Sequence, residues 1–268
     1  MRPDASLRAV PITRLRQRYR RLGQRGVSTR QRHEECDQLT TEVTPLLCEF
    51  LEAVHLMERY DNRREGFYPS KGRLSSEDRH RDAGTVVVTN RLRKGPVVVP
   101  ALAPYVFRYL QREVNPLRTT RGRFVDGTPA TRSGKGGIDY LALLEANPPT
   151  PILGEIKVAG DKDAYYAFVQ LLTYLSELSS KAQFVRANKF LFKRMLVYPT
   201  PFDLHILLVD QNNRSQKEPS IESTQRLAAA FKAKLTATVG ESHALGRVLC
   251  VRTTLPTFAG SLDLMWSV

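Results

Sequence analysis

Apolar positions along the chain recur at two spacings, and each predicts a different element. Between Asp37 and Tyr60, Val43, Leu46, Leu47, Phe50, Leu51, Val54 and Met57 return every three or four residues with acids opposite. That spacing predicts an amphipathic helix with Pro45 in its first turn. The same period at Phe168, Leu171, Leu172, Leu175 and Leu178 predicts a helix over 164–178, and helices are also expected over 104–114 and 220–237. Short continuous apolar runs predict buried strands over 136–144, 151–158, 203–210 and 246–252, with another over 121–126. Ala146-Asn-Pro-Pro-Thr150 forms turns readily, so the strands on either side of it can pair as an antiparallel hairpin. Thr85–Thr89 and Val97–Val99 predict a second hairpin, whose tip carries Arg91, Arg93 and Lys94, while 62–81 reads as a polar, basic loop. The order helix, three strands, helix, strand, then a further helix and strand, describes an α/β unit without internal repeats.

Charges inside the predicted strands stand out against this pattern. Asp139 is the one charge in its run before Glu145, and Glu155 and Lys157 interrupt Pro151–Val158. Side chains two apart on a strand share a face, so Glu155 and Lys157 project together while Ile156 and Val158 point away. Removing ionised groups from water costs several kcal/mol each unless a partner charge, a metal ion or a charged substrate compensates. The triplet alone is weak evidence: 27 acids and 11 lysines in 268 positions predict roughly one acid-x-Lys by chance, and one occurs. Its context carries more. The hairpin brings Asp139 toward Glu155, Val158–Asp163 ends the strand and offers a helix N-cap, and Gln170 and Tyr174, four apart, share one face of the helix that follows.

At these residues the chain resembles the PD-(D/E)XK nuclease superfamily, the restriction-endonuclease-like fold, in its RecB-type branch. The likeness rests on Asp139, Glu155-Ile156-Lys157 and Gln170-x-x-x-Tyr174, about forty residues in all. It implies an αβββαβ core with a mixed central sheet, here with an N-terminal helical and basic extension and a C-terminal α-β addition. It implies that Asp139, Glu155 and the carbonyl of Ile156 hold Mg²⁺ or Mn²⁺. Lys157 would act at the reacting water or phosphate, with Gln170 and Tyr174 in support. Two departures accompany it: Ile138 stands where the motif has Pro, and the upstream helical Glu of the family has no secure match, Glu113 and Glu49 being the candidates. With an ordinary pKa near ~10.4, Lys157 is expected to work protonated.

Charge adds a partner class. The net charge is +14, and residues 1–32 supply +9 of it through ten arginines against Asp4. Such an arm can neutralise phosphates and release counterions, which nominates Arg14, Arg16, Arg18, Arg20 and Arg21, with Arg91, Arg93, Lys94 and the turn residue Lys135, as nucleic-acid contacts. A mitochondrial targeting segment and a solvated tail are the competing readings. The expected division is a basic arm over 1–36, an accessory helix and hairpin over 37–100, and a core over 101–268.

The remaining composition narrows the setting. Three cysteines without CxxC spacing argue against a disulfide scaffold or zinc knuckle and for a reducing, intracellular compartment, and no apolar run is long enough to cross a bilayer. Ser133-Gly-Lys-Gly-Gly137 fails as a nucleotide loop because Gly136 follows Lys135. His205 lacks a metal-pair spacing and reads as structural. The expected activity is metal-dependent hydrolysis of nucleic acid, DNA before RNA. The alternatives are a catalytically silent module of the same fold and a basic protein-interaction component.

Overall fold

The computed structural model describes residues 13–24, 26–60, 67–69, 85–119, 137–158, 163–210, 219–240, 244–254 and 260–268. The chain opens with three helices, α1 (Arg14–Leu22), α2 (Thr29–Thr41) and α3 (Thr44–Met57). Strand β1 (Phe67–Pro69), helix α4 (85–92), strand β2 (Val97–Val98) and a single 3₁₀ turn at Pro100–Leu102 lead to β3 (Val106–Thr119). Then come β4 (Ile138–Leu144), β5 (Thr150–Val158), α5 (Ala164–Leu178), α6 (Lys181–Phe190), β6 (Phe202–Asp210), α7 (Pro219–Val239), β7 (Leu245–Thr254) and β8 (Asp263–Ser267).

The strands form one mixed sheet in the order β1-β3-β4-β5-β6-β7-β8, with β2 also paired to β3. The ladders β5–β6 and β6–β7 are parallel, and the others are antiparallel. Because α5 and α6 intervene between β5 and β6, the chain can return to the same end of the sheet and pair in parallel. Every residue of α5 is buried. The helix lies on β5 and β6 and carries α1, α3 and α7 on its outer side, so it is apolar nearly all round, as a central helix must be. Leu15, Tyr19, Leu22, Leu39, Leu46 and Phe50 from the first three helices join Leu153, Phe168, Leu204 and Val248 in this core. On the other face of the sheet, Val88 and Leu92 of α4 pack with Tyr105, Phe107, Tyr140, Ile156, Leu207 and Val251.

The hairpin β4–β5, helix α5, strands β6 and β7 and helix α7 fall where the apolar pattern predicts them, to within two residues at each end. Four expectations are corrected. From Val106 the expected helix over 104–114 is strand instead, because Tyr105, Phe107 and Tyr109 alternate with the exposed Arg108 and pack on one face, a period of two. Residues 85–89 belong to a helix. The β-branched run favours a strand, but Val88 and Leu92, four apart, are the apolar positions this part of the chain buries, so tertiary packing overrides propensity. The single helix over 37–60 is two, parted at Glu42 and Val43 ahead of Pro45, which takes the first turn of α3. Lastly, the basic segment is no arm from Arg14 onward: α1 and α2 share the core of the sheet, and the helical segment 13–57 is integral to it rather than accessory. The strand expected over 121–126 lies outside the described residues.

Two buried polar assemblies brace the sheet. Arg186, fully buried, donates to the carbonyls of Pro116 (2.9 Å) and Arg118 (2.8 Å) and stacks 3.7 Å from the Phe67 ring centroid, tying the end of β3 and β1 to α6. On the opposite face His205 sits between Tyr140, whose hydroxyl is 3.1 Å from Nδ1, and Tyr105, whose hydroxyl is 2.8 Å from Nε2. Tyr105 donates to Asp203 Oδ2 at 2.7 Å, so it must accept from His205, which puts the imidazole proton on Nε2 and lets Tyr140 donate to Nδ1. In this relay a second proton on Nδ1 would require the Tyr140 hydroxyl to turn from donor to acceptor. Burial accordingly pushes the His205 pKa down to about 3 from its ordinary 6.5. A depressed imidazole means that the unfolded chain binds the proton first, so stability is lost as pH falls below 6.5. Between pH 6.5 and about 5 this loss is on the order of 2 kcal/mol. Urea midpoints across that window should fall in the parent and change less in His205→Gln; equal slopes would contradict the relay.

Candidate functional site

Strands β4 and β5 set the site through their register. Tyr140 pairs with Gly154, which places Asp139 and Glu155 at the next opposed positions, with their side chains on one face. Gly154 is required here: a Cβ would lie 2.0 Å from the Tyr140 ring, which crosses the strand beside Glu155. Past this pair the backbone ladder gives way to a side chain, since the Ile156 N–H donates to Asp139 Oδ2 at 2.8 Å. Asp139 is thereby fixed against the backbone of the Glu155-Ile156-Lys157 triplet.

Glu155 and Lys157 are 2% and 3% exposed. The ammonium of Lys157 donates to Glu155 Oε1 at 2.5 Å and to Gln170 Oε1 at 3.3 Å, and it lies 4.8 Å from the centroid of the Tyr166 ring. Gln170 in turn donates to the Tyr174 hydroxyl at 3.3 Å, which stands 3.5 Å from the hydroxyl of Tyr19 on α1. Tyr166, Gln170 and Tyr174 are spaced by four and form one stripe of α5 facing the triplet. The start of that helix is held by Asp163, which accepts from the Tyr166 N–H at 2.9 Å and from Arg32 Nε at 2.7 Å. All five residues singled out in the sequence for chemistry or its support therefore meet in one place.

The electrostatics of the cluster are unbalanced. One ammonium stands against two carboxylates, and burial, followed by the charge of Asp139, holds the Glu155 carboxyl well above its usual range. The two carboxyl groups are close enough to share a proton. Yet Glu155 Oε2 is buried with no hydrogen-bond partner among the described residues. A buried carboxylate oxygen left this way is costly unless a proton shared with Asp139 or a cation satisfies it.

Glu155 also lines a cleft of about 110 Å³. Asp139, Glu155, Ile156 and Lys157 line it from β4 and β5, Arg112 and Glu113 from β3, and Thr85, Val86 and Thr89 from α4. Glu113 thus brings a third carboxylate to the cleft. Its φ of 52° puts a non-glycine residue in the left-handed region in mid-strand, a conformation that costs energy and is kept where the surroundings impose it. Glu49, the other candidate, does not line the cleft, and Arg18 holds both its oxygens at 2.6 and 2.8 Å. Among the described residues, no three or more His, Cys, Asp or Glu side chains gather closely enough to hold a metal ion by themselves. The donor set is one opposed pair with a third acid on the adjoining strand, polar and only partly enclosed. Such a set suits a hard cation that keeps several water or substrate oxygens, as Mg²⁺ does.

The predicted nucleic-acid contacts separate into two groups. On α1, Arg16 makes a two-pronged pair with Glu177 (2.5 and 2.6 Å), Arg18 pairs with Glu35 and Glu49, Arg14 with Glu52, and Arg21 with Glu35. Arg20 is exposed. Arginines already neutralised by acids release few counterions on meeting a phosphate, so most of this helix serves the fold. Arg91, Arg93 and Lys94 lie at the C-terminal end of α4, where cations also favour the helix dipole, and α4 lines the cleft. Lys135 lies outside the described residues. Sequence reasoning missed Arg112, Thr85, Val86 and Thr89, which come from elements it misassigned. It also missed Tyr166, which the four-residue spacing to Gln170 could have disclosed. Comparison with family models, with curated proteins and with solved structures found no match to this chain.

Proposed function

We propose that the chain is a metal-dependent nuclease that hydrolyses phosphodiester bonds, DNA being the favoured substrate, with a site of the PD-(D/E)XK type. The observation that carries this reading is the opposed pair Asp139 and Glu155 at the floor of a polar cleft, with one buried carboxylate oxygen unsatisfied and Lys157 alongside. In this reading Asp139 and Glu155, with the carbonyl of Ile156, hold Mg²⁺ or Mn²⁺, and Glu113 is within the same cleft to bind a water of its shell. A divalent ion there would offset the phosphate charge and make a bound water nucleophilic near neutral pH. Lys157 presents a protonated amine to the reacting water or to a phosphate oxygen. Gln170 and the Tyr166 ring orient that amine, and Tyr174 orients Gln170, so these three position the reacting group without touching substrate.

The raised Glu155 carboxyl sets a pH dependence. A proton and a cation compete for the same oxygens, so cleavage at limiting metal should rise with pH as Glu155 ionises, and added Mn²⁺ should shift that rise to lower pH. Initial rates on labelled DNA across a pH and Mn²⁺ grid test this, and a pH profile that metal concentration does not move would contradict it. Nucleic acid bound without products under any divalent ion would favour the silent module. Weak, salt-labile binding alone would favour the protein-interaction component.

A further inference from the structure

Large apolar side chains are exposed at six of the described positions, and four of them, Phe190, Met195, Val197 and Tyr198, fall within nine consecutive residues that lead from the end of α6 toward β6. Slack does not explain this exposure, because the segment is pinned. Asn188 donates to the carbonyl of Leu196 at 2.6 Å and accepts from its N–H at 3.0 Å, and the Arg194 N–H donates to the Asn188 carbonyl at 2.7 Å. Leu191, Phe192 and Leu196 are buried, Phe192 edge-on to Phe202 of β6, and Tyr198 packs edge-on to Phe184 at 5.2 Å. Lys193 (φ 50°) and Arg194 (φ 65°) take the left-handed region in succession, a costly conformation for such residues that this closure imposes. Val197 is held 77% exposed. Cations accompany these apolar groups. No acid occurs between Glu177 and Asp203, whereas Lys189, Lys193 and Arg194 are exposed, and none of the three is in an ion pair among the described residues. Lys189 Nζ lies 4.9 Å from the Phe190 ring centroid, so charge and apolar surface interleave.

We propose that this loop docks the protein on a lipid bilayer with anionic headgroups, Met195 and Val197 entering the interface while Lys189, Lys193 and Arg194 meet the headgroups. Charge complementarity selects an anionic surface, and the apolar tip selects a bilayer over a polyanion, since a phosphate backbone would engage the cations and leave Met195 and Val197 in water. A second copy meeting the loop face to face would set like charges together. A stable protein interface takes roughly 20–30 residues a side, far more than this loop supplies, whereas a bilayer accepts a small tip without a matching pocket. Insertion and charge reinforce each other, each cation near an anionic surface tightening binding roughly 5-fold. The loop enters β6 at Phe202, while Glu155 and Lys157 lie beside Ile206 and Leu208, roughly 13–20 Å farther along the sheet. The docking face and the carboxylate cleft are therefore separate regions, and this inference does not depend on the nuclease reading.

Co-sedimentation of the full chain with vesicles should show bilayers of phosphatidylcholine with phosphatidylserine bound at least roughly 10-fold more tightly than phosphatidylcholine alone. Met195→Ser/Val197→Ser, at two exposed positions and without a change of charge, should weaken that binding about 10-fold or more, and Lys193→Gln/Arg194→Gln about 10- to 30-fold. In Val197→Trp, emission should shift to the blue when the mixed vesicles are added and be quenched by brominated acyl chains. Trp266, the one native tryptophan and a buried one, supplies an unmoved baseline. Mixed vesicles bound as tightly by both double variants as by the parent would overturn the proposal, as would Val197→Trp emission that vesicles do not move. An equal loss of DNA binding in Met195→Ser/Val197→Ser would make the loop a nucleic-acid contact, and a dimer that this variant abolishes in sedimentation velocity would make it a self-association face; either result overturns the proposal. Cleavage by the same variants should match the parent, so a failed docking surface leaves the nuclease reading intact, and vesicle binding without cleavage products leaves the docking surface standing.

Discussion

Asp139→Asn should give a metal-free protein that is more stable than its parent and has lost cleavage by roughly 10³-fold or more. The stability gain follows from the charge imbalance. Asp139 and Glu155 oppose each other with a single ammonium, bound to Glu155, against them, and burial and the Asp139 charge together hold Glu155 above its ordinary range. An amide at 139 can still accept the Ile156 N–H while removing the like charge, which leaves Glu155 and Lys157 as a neutral pair. Relief of that repulsion should be worth about 1–2 kcal/mol, or roughly 2–6 °C in Tm. The loss of function follows from the same change, since the cation would lose one of its two opposed acids. Mg²⁺ or Mn²⁺ should therefore raise the Tm of the parent and leave that of the variant unmoved. A stability gain at the expense of activity is what a strained functional site predicts, and a structural ion cluster predicts the reverse. Thermal melts with and without metal decide between them, and a destabilised Asp139→Asn would mark the cluster as structural.

Arg16→Met should destabilise the fold by about 3–5 kcal/mol, and Arg16→Met/Glu177→Leu should recover most of that loss. The pair is buried on both sides and joined through two hydrogen bonds of 2.5 and 2.6 Å. Removing the guanidinium strands Glu177, whose carboxyl burial already drives upward, inside the seam between α1 and α5. Replacing both removes the desolvation penalty and leaves a seam that apolar side chains can fill. Arg16 also lies 5.9 Å from the Tyr174 ring centroid, so the same seam backs the chain from Tyr174 through Gln170 to Lys157. Equilibrium urea unfolding of both variants measures this. A single variant within 1 kcal/mol of the parent would return α1 to the role of a loosely held basic arm.

The positions that carry the candidate chemistry were legible because short periods place them. Asp139, Glu155 and Lys157 are charges in apolar strands, and the turn at 146–150 leaves one pairing that opposes the first two. Gln170 and Tyr174 share a face at a spacing of four. Harder to read were elements whose state is decided by distant packing. Thr85–Thr89 has strand propensity, yet Val88 and Leu92 bury as one helical face against Tyr105 and Tyr140. In α1, Leu15, Tyr19 and Leu22 follow helical spacing, but ten arginines in 32 residues hid the pattern, and the acids that neutralise them lie as far as 161 positions away. Glu113 and Arg112 reach the cleft only through the bulged path of β3, where Leu110 has no partner in the register and Glu113 turns left-handed. No local period foretells that placement.

The most direct test of the central claim is single-turnover hydrolysis of end-labelled DNA with Mg²⁺ or Mn²⁺ by the parent, Glu155→Gln and Lys157→Met, each first checked for folding by circular dichroism. The opposed acids and their lysine predict metal-dependent products from the parent and, from either variant, rates lower by roughly 10³-fold with DNA binding preserved. Variants that cut as fast as the parent, or a parent that yields no products with either ion, would contradict it.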